Sequence, residues 1–144
     1  MDMYKKIVLA VDGSEVSKNA LRHAVELAKQ NNGTLIAVYV IPPIDVLDIE
    51  TFKPDSLMRG LRQEGEKILS EVRELAEKKG VNVQTRLEEG IPFEKICEVA
   101  QDSGADIIVM GSHGRTGIGK VLIGSVTERV ISRAQCCPVL VIKA

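Results

Sequence analysis

The chain has no tryptophan, and only two tyrosines and two phenylalanines in 144 residues. It carries no polybasic run, and its formal net charge is -1. A nucleic-acid surface needs clustered cations and often aromatic stacking platforms, so the composition argues against such a partner. Long apolar runs are lacking too. The start, MDMYKKIVLAVDG, holds an apolar stretch too short for a signal peptide or a membrane span, and Asp12 interrupts it. The expected location is therefore the cytoplasm, with no membrane partner. Cysteine is sparse: Cys97, Cys136 and Cys137. An odd count without framework spacing fits reduced thiols. The adjacent pair is not C-x-x-C, so neither zinc nor thioredoxin-type chemistry is expected. The three are read as small buried residues flanking a strand. What remains is 44% hydrophobic and 27% charged, at the length of one ordinary domain.

Five strand-like runs alternate with four helical patterns. The first strand is Lys5 to Val11. Ser14 then reads as the N-cap of a helix with Ala20, Leu21, Ala24, Val25 and Ala28 on one apolar face. Gly33 is placed as its terminal glycine. A second strand, Thr34 to Ile41, closes at Pro42-Pro43. The mixed segment from Ile44 to about Asp55 reads as a mobile loop. A long helix is predicted from about Ser56 to Lys79, stopped by Gly80, with Ile68, Leu69, Val72, Leu75 and Ala76 inward. The run Val81 to Leu87 alternates like an edge strand with one wet face. Pro92 suits the first turn of a helix ending near Gly104. A fourth strand spans Asp106 to Met110. A final helix opens at Gly124-Ser125, with Ser125 and Glu128 in capping-box spacing. The last strand is Pro138 to Ile142. Strand and helix in alternation predict an α/β fold, a parallel sheet with helices on both faces.

In such sheets ligands bind beyond the carboxyl ends of strands, where the strand order reverses. Two loops carry suitable residues: Asp12-Gly13-Ser14 after the first strand, and Gly111 to Ser125 after the fourth. The second loop, GSHGRTGIGKVLIGSVTER (Gly111–Arg129), contains two overlapping patterns. Gly114, Gly119 and Lys120 imitate a Walker A loop, but Val121 stands where the magnesium-binding Ser or Thr belongs, and the loop follows the wrong strand. The other pattern is Gly111, Gly114, nine residues, then Gly124-Ser125. Here glycines can supply positive φ and close backbone approach, while the opening helix offers unpaired N–H groups and a positive dipole end to an anion.

This second pattern resembles the ATP-binding signature of the universal stress proteins, G-2x-G-9x-G-[S/T]. YKKIVLAVDGSE resembles that family's opening strand and acidic turn, AVYVIPP its second strand, and IIVMGSHGRTGIGKVLIGSVTERVISRAQCCPVLVIK its closing module. The resemblance covers the whole chain, residues 1–144, as one nucleotide-binding domain. It implies a Rossmann-like five-stranded sheet of order 3-2-1-4-5 and bound ATP, with Mg2+ or Mn2+. By resemblance, Asp12 and Val40 line the adenine and ribose side, and Met110 and Gly111 continue that wall. Gly114, Gly124, Ser125 and Val126 hold ribose and phosphates. His113 and Arg115 lie near the phosphates, and Lys120 is a further candidate.

Several of these residues also have plainer roles. Asp12 could only cap its turn, Ser125 is placed to cap its helix, and Val40 and Met110 would be core residues in any such fold. His23 is expected at the surface. The apolar last strand would be an exposed edge, which invites pairing with a second copy; the resemblance implies the same homodimer. No Ser-His-Asp order, metal-ligand cluster or general base stands out. The expected function is a nucleotide-dependent switch or binding module in stress response, with at most weak ATP hydrolysis. A slow ATPase or phosphotransferase, and a scaffold without nucleotide, are the alternatives.

Overall fold

Strand β1 (Lys6–Ala10) lies between β2 (Thr34–Ile41) and β4 (Ile107–Gly111). Strands β3 (Asn82–Glu89) and β5 (Val139–Ile142) form the two edges. The order is β3-β2-β1-β4-β5 and every pairing is parallel, as expected. The structure is a computed structural model describing residues 3–43, 54–114 and 123–143.

The inner strands are continuous apolar runs because both of their faces are covered. Ile7, Leu9 and Val11 point into one core with helices α1 (Glu15–Asn31) and α2 (Pro54–Lys78). Val8 and Ala10 point into the other, with α3 (Pro92–Ser103) and α4 (Ser125–Arg133). Ile7, Leu9, Leu35 and Ile108 are fully buried. Each such side chain contributes roughly 1.5–3 kcal/mol of hydrophobic stabilisation.

Helix ends follow local chemistry, with one correction. Ser14 caps α1, accepting from the Ser17 amide at 3.1 Å. The left-handed residue closing α1 is Asn32, at φ 52°, and not Gly33. Gly33 is small for another reason: a Cβ there would sit 2.7 Å from the Lys5 carbonyl oxygen. Pro92 opens α3, and Gly104 closes it at φ 66°. Helix α2 begins two residues before the expected start. The loop expected from Ile44 to about Asp55 falls largely on residues 44–53, outside the described residues.

The two edges are treated differently. β3 alternates half-buried and exposed residues along its first half, as its sequence predicts. Arg73 of α2 donates to the Val83 carbonyl and the Thr85 hydroxyl, both at 3.3 Å, and so covers part of that edge. Arg62 adds an ion pair to Glu89. On β5, Leu140 is exposed, and no described side chain hydrogen-bonds to its backbone.

Candidate functional site

The register sets the site. Ala10 pairs with Val38 and Leu9 with Val109. Continuing both ladders brings Asp12, Val40 and Ser112 level at the carboxyl end of the sheet. This is where the order reverses between β1 and β4, the position at which open α/β sheets bind ligands.

From β1, the chain turns at Gly13, which takes φ 84°. The turn is held by Asp12, whose Oδ1 accepts the Ser14 amide at 2.9 Å. The Asp12 amide itself donates to Ser17 Oγ at 3.1 Å. Both the plain and the functional readings of Asp12 therefore have a place. One carboxylate oxygen fixes the turn, and Oδ2 has no partner among the described residues.

From β4, Gly111 to Gly114 run alongside that turn. Ser112 is buried, and its hydroxyl lies 3.2 Å from His113 Nδ1. The loop is tied to α4 twice. The Gly124 amide donates to the Ser112 carbonyl at 2.6 Å, and the buried Thr127 hydroxyl donates to the Gly111 carbonyl at 2.9 Å. Neither Ser112 nor Thr127 was singled out from the sequence. The three-residue step from Thr127 to buried Val130 was the available signal for an inward hydroxyl.

Helix α4 corrects the capping-box reading. Gly124 is the N-cap, and among the described residues no side chain caps the helix. Ser125 is the first helical residue and is exposed, so its hydroxyl is not consumed by capping. The helix therefore presents its first-turn N–H groups and its positive dipole end uncapped.

The glycines act otherwise than expected. Gly111, Gly114 and Gly124 do not have positive φ. Close approach bears on all three, most firmly at Gly111. A Cβ on Gly111 would overlap Val16 Cγ1 of α1. One on Gly114 would lie 2.6 Å from Asp12 Oδ2, and one on Gly124 3.1 Å from His113 Cα. The motif is thus the joint that lets the β1 turn, the β4 loop and α4 meet.

Beneath the joint lies an apolar floor. Val40, Met110 and Val126 belong to the α3/α4 core, together with Ala10. Val40 and Val126 are half-buried, while Met110 is buried. Arg115 and Lys120 lie outside the described residues. A separate cleft of about 240 Å³ opens on the opposite face, between α1 and α2. Its charged rim, Lys18 and Lys67 with Glu64 and Glu71, carries both signs, and it shares only the Val11–Gly13 turn with the glycine joint. The convergent backbone groups and the floor make the joint the better candidate.

The cysteines need a further correction, since Cys136 is exposed, while Cys97 and Cys137 are half-buried. His23 is exposed, as expected. Among the described residues, no group of three His, Cys, Asp or Glu side chains could hold a metal ion. No described helix is long and apolar enough to cross a membrane.

Residues 3–143 match the sequence model of the Universal stress protein family, and the chain belongs to that family. It is 41% identical over 143 residues to universal stress protein MJ0531 of Methanocaldococcus jannaschii, covering 99% of this chain and 84% of that one. The solved structure of MJ0577 from the same organism superposes with a TM-score of 0.87 at 37% identity, covering 99% and 97% of the two chains. A universal stress protein solved in complex with cAMP gives a TM-score of 0.75 at 27% identity, over 97% of each chain. One from Archaeoglobus fulgidus in complex with dAMP gives 0.69 at 26% identity, over 99% of each.

Proposed function

We propose that this chain binds ATP or a related adenine nucleotide at the glycine joint and works as a nucleotide-dependent switch in stress response. The observation that carries the reading is the uncapped start of α4, facing a loop with an apolar floor below it. An adenosine fits the floor formed by Ala10, Val40, Met110 and Val126. Asp12 Oδ2 is placed to accept from a ribose hydroxyl. The amides of Ser125 and Val126, the Ser125 hydroxyl and the loop through His113 and Gly114 would meet the phosphates. Two relatives of known structure hold cAMP and dAMP, which supports an adenine ligand.

Mg2+ or Mn2+ would arrive on the phosphates, a mode that needs one or two carboxylates and not a protein cage. Asp12 is the acid available for it. The open β5 edge supports a homodimer formed by two copies pairing across a two-fold axis. The reading is a binding module with at most weak ATP hydrolysis.

The test is a calorimetric titration of ATP into purified protein with magnesium present and any co-purified nucleotide removed. Saturable binding near one ATP per chain is expected. No detectable heat, with competition by AMP and cAMP also silent, would move the chain to the scaffold reading.

A further inference from the structure

Cys97 and the adjacent pair Cys136-Cys137 lie near one another at one edge of the fold. Cys97 on α3 and Cys137 just before β5 pack on the same core beside Val139. Cys136 is exposed, and its Sγ lies 3.5 Å from Cys137 Sγ. Burial, the hydrogen bond with Cys136, and the neighbouring charges of Cys136, Asp106 and Cys97 push the Cys137 thiol up to about 12. Burial, then Cys136, raises Cys97 as well. Cys136 is thus the sulfur that solvent reaches first, with Cys137 Sγ directly behind it. An exposed thiol with a second thiol in contact is the arrangement of a peroxide-attacked cysteine and its resolving partner.

We propose that Cys136 is a modification site for small hydroperoxides and that Cys137 resolves it as a vicinal disulfide. In the first step the Cys136 thiolate attacks the peroxide. The O–O bond breaks, an S–O bond forms, and hydroxide leaves and is protonated to water. The sulfur is oxidised by two electrons and the peroxide is reduced. In the second step Cys137 attacks the sulfenic sulfur. The S–S bond forms, the S–O bond breaks, and the Cys137 proton leaves with the hydroxide as a second water.

The disulfide would be strained. Adjacent Cα atoms are ~3.8 Å apart across a trans peptide, below the ~4.4–6.8 Å that disulfides usually span. Strained disulfides are the readily reduced, regulatory ones, so this modification is reversible by ordinary thiols. Its position gives it a consequence. The Pro138 carbonyl accepts the Ile108 amide at 3.0 Å, and β5 begins one residue later. Closing the sulfurs turns the peptide just before the edge strand. Oxidation therefore weakens self-association, a consequence that rests on the homodimer reading above.

The full-length reduced protein is treated with hydrogen peroxide, alkylated, and mapped by peptide mass spectrometry. Wild type and Cys97→Ser should each lose two hydrogens within the peptide holding Cys136 and Cys137. Cys137→Ser should stop at one added oxygen on Cys136, captured by dimedone, and Cys136→Ser should show neither. If Cys97→Ser does not fold, Cys97→Ala replaces it, and the wild-type map alone identifies the pairing. A disulfide that includes Cys97, or an unchanged peptide where free cysteine in the same tube is oxidised, overturns the proposal. Sedimentation of the same samples reads the consequence. Oxidised wild type should shift toward monomer while Cys136→Ser does not; an oxidised sample as dimeric as the reduced one overturns that step. A reduced protein that is already monomeric sinks the homodimer reading, and the peptide map still decides the thiol chemistry.

Discussion

Substituting Gly111 separates packing from ligand contact. The side chain of Gly111→Ala would overlap Val16 Cγ1 and come within 3.2 Å of Val16 Cβ and 3.3 Å of the Val16 carbonyl carbon. Val16 is 5% exposed, so it has little room to retreat. Overpacking of this kind costs about 1–3 kcal/mol. For a chain of this length that lowers Tm by roughly 2–10 °C. Val16→Ala alone removes two buried methyl groups and leaves a cavity, for about 1.5–3 kcal/mol. The double variant should not cost the sum, because the new methyl occupies the space that Val16 vacates. A favourable coupling of about 1–2 kcal/mol is expected from the four-member cycle. Urea unfolding of the four proteins without nucleotide measures it, and the slopes should agree if the state compared is the same. Additivity within about 0.5 kcal/mol, or a Gly111→Ala protein as stable as wild type, would refute the packing role.

Gly124→Val should abolish most nucleotide affinity while circular dichroism stays native, since the added atoms press on His113 at 3.1–3.3 Å and move the loop; unchanged ATP affinity would count against the site. Thr127→Val leaves the buried Gly111 carbonyl without its 2.9 Å partner, at an expected cost of about 1–3 kcal/mol in chemical denaturation. Leu140→Lys places a charge on the open edge of β5 and, on the proposed homodimer, should shift sedimentation to monomer with ATP binding per chain retained; an unchanged sedimentation profile would count against pairing through β5. The Cys137 thiol is raised in the fold from 9.0 to about 12, so the folded state holds a proton that the unfolded state releases. That contribution is complete below pH 9.0 and is lost as pH rises toward 12. Wild type should therefore lose more stability than Cys137→Ser across that alkaline window, and parallel losses would falsify the assignment.

The sheet was legible because each inner strand is apolar throughout and helices α2 and α3 carry their own end signals. Gly80, Gly104 and Pro92 say where α2 and α3 end or begin without reference to the rest of the chain. Other features depend on contacts between distant residues, and sequence spacing does not show them. Asn32 and not Gly33 took the left-handed position, because Gly33 had to pass the Lys5 carbonyl. Ser125 has capping-box spacing to Glu128, yet the Gly124 amide is already bonded to Ser112 and starts the helix one residue earlier than that pattern assumes. Cys136 was misread as buried because its neighbours are apolar, while the turn before β5 faces it outward. At the candidate site, the residues named from the motif do converge, with Arg115 and Lys120 outside the described residues. Of the supporting hydroxyls, Thr127 had only its three-residue step to Val130 to mark it, and Ser112 had no spacing pattern of its own.

The geometry also bears on how the proposed nucleotide site would signal. Gly111, Gly114 and Gly124 lie where the β1 turn, the β4 loop and the start of α4 come into contact. The Asp12 turn belongs to α1 through Ser14 and Ser17. The β4 loop belongs to α4 through Gly124 and Thr127. A nucleotide spanning Asp12 and the α4 start would hold both sides together. Its stabilisation acts by mass action on whatever arrangement it prefers, about 2.7 kcal/mol at a hundred times Kd. Helix α4 and β5 follow directly in the chain, so the element that feels the phosphates leads into the open edge. On the proposed switch, occupancy at the joint and association at β5 would be linked in one direction and, by reciprocity, in the other. On that reading dimer stability should rise with ATP and ATP affinity should rise with protein concentration, the dimer constant changing by the square of the per-site affinity factor because each dimer holds two sites. Sedimentation with and without saturating ATP decides it: a dimer constant indifferent to nucleotide would leave the two sites independent and remove the switch from the proposed function.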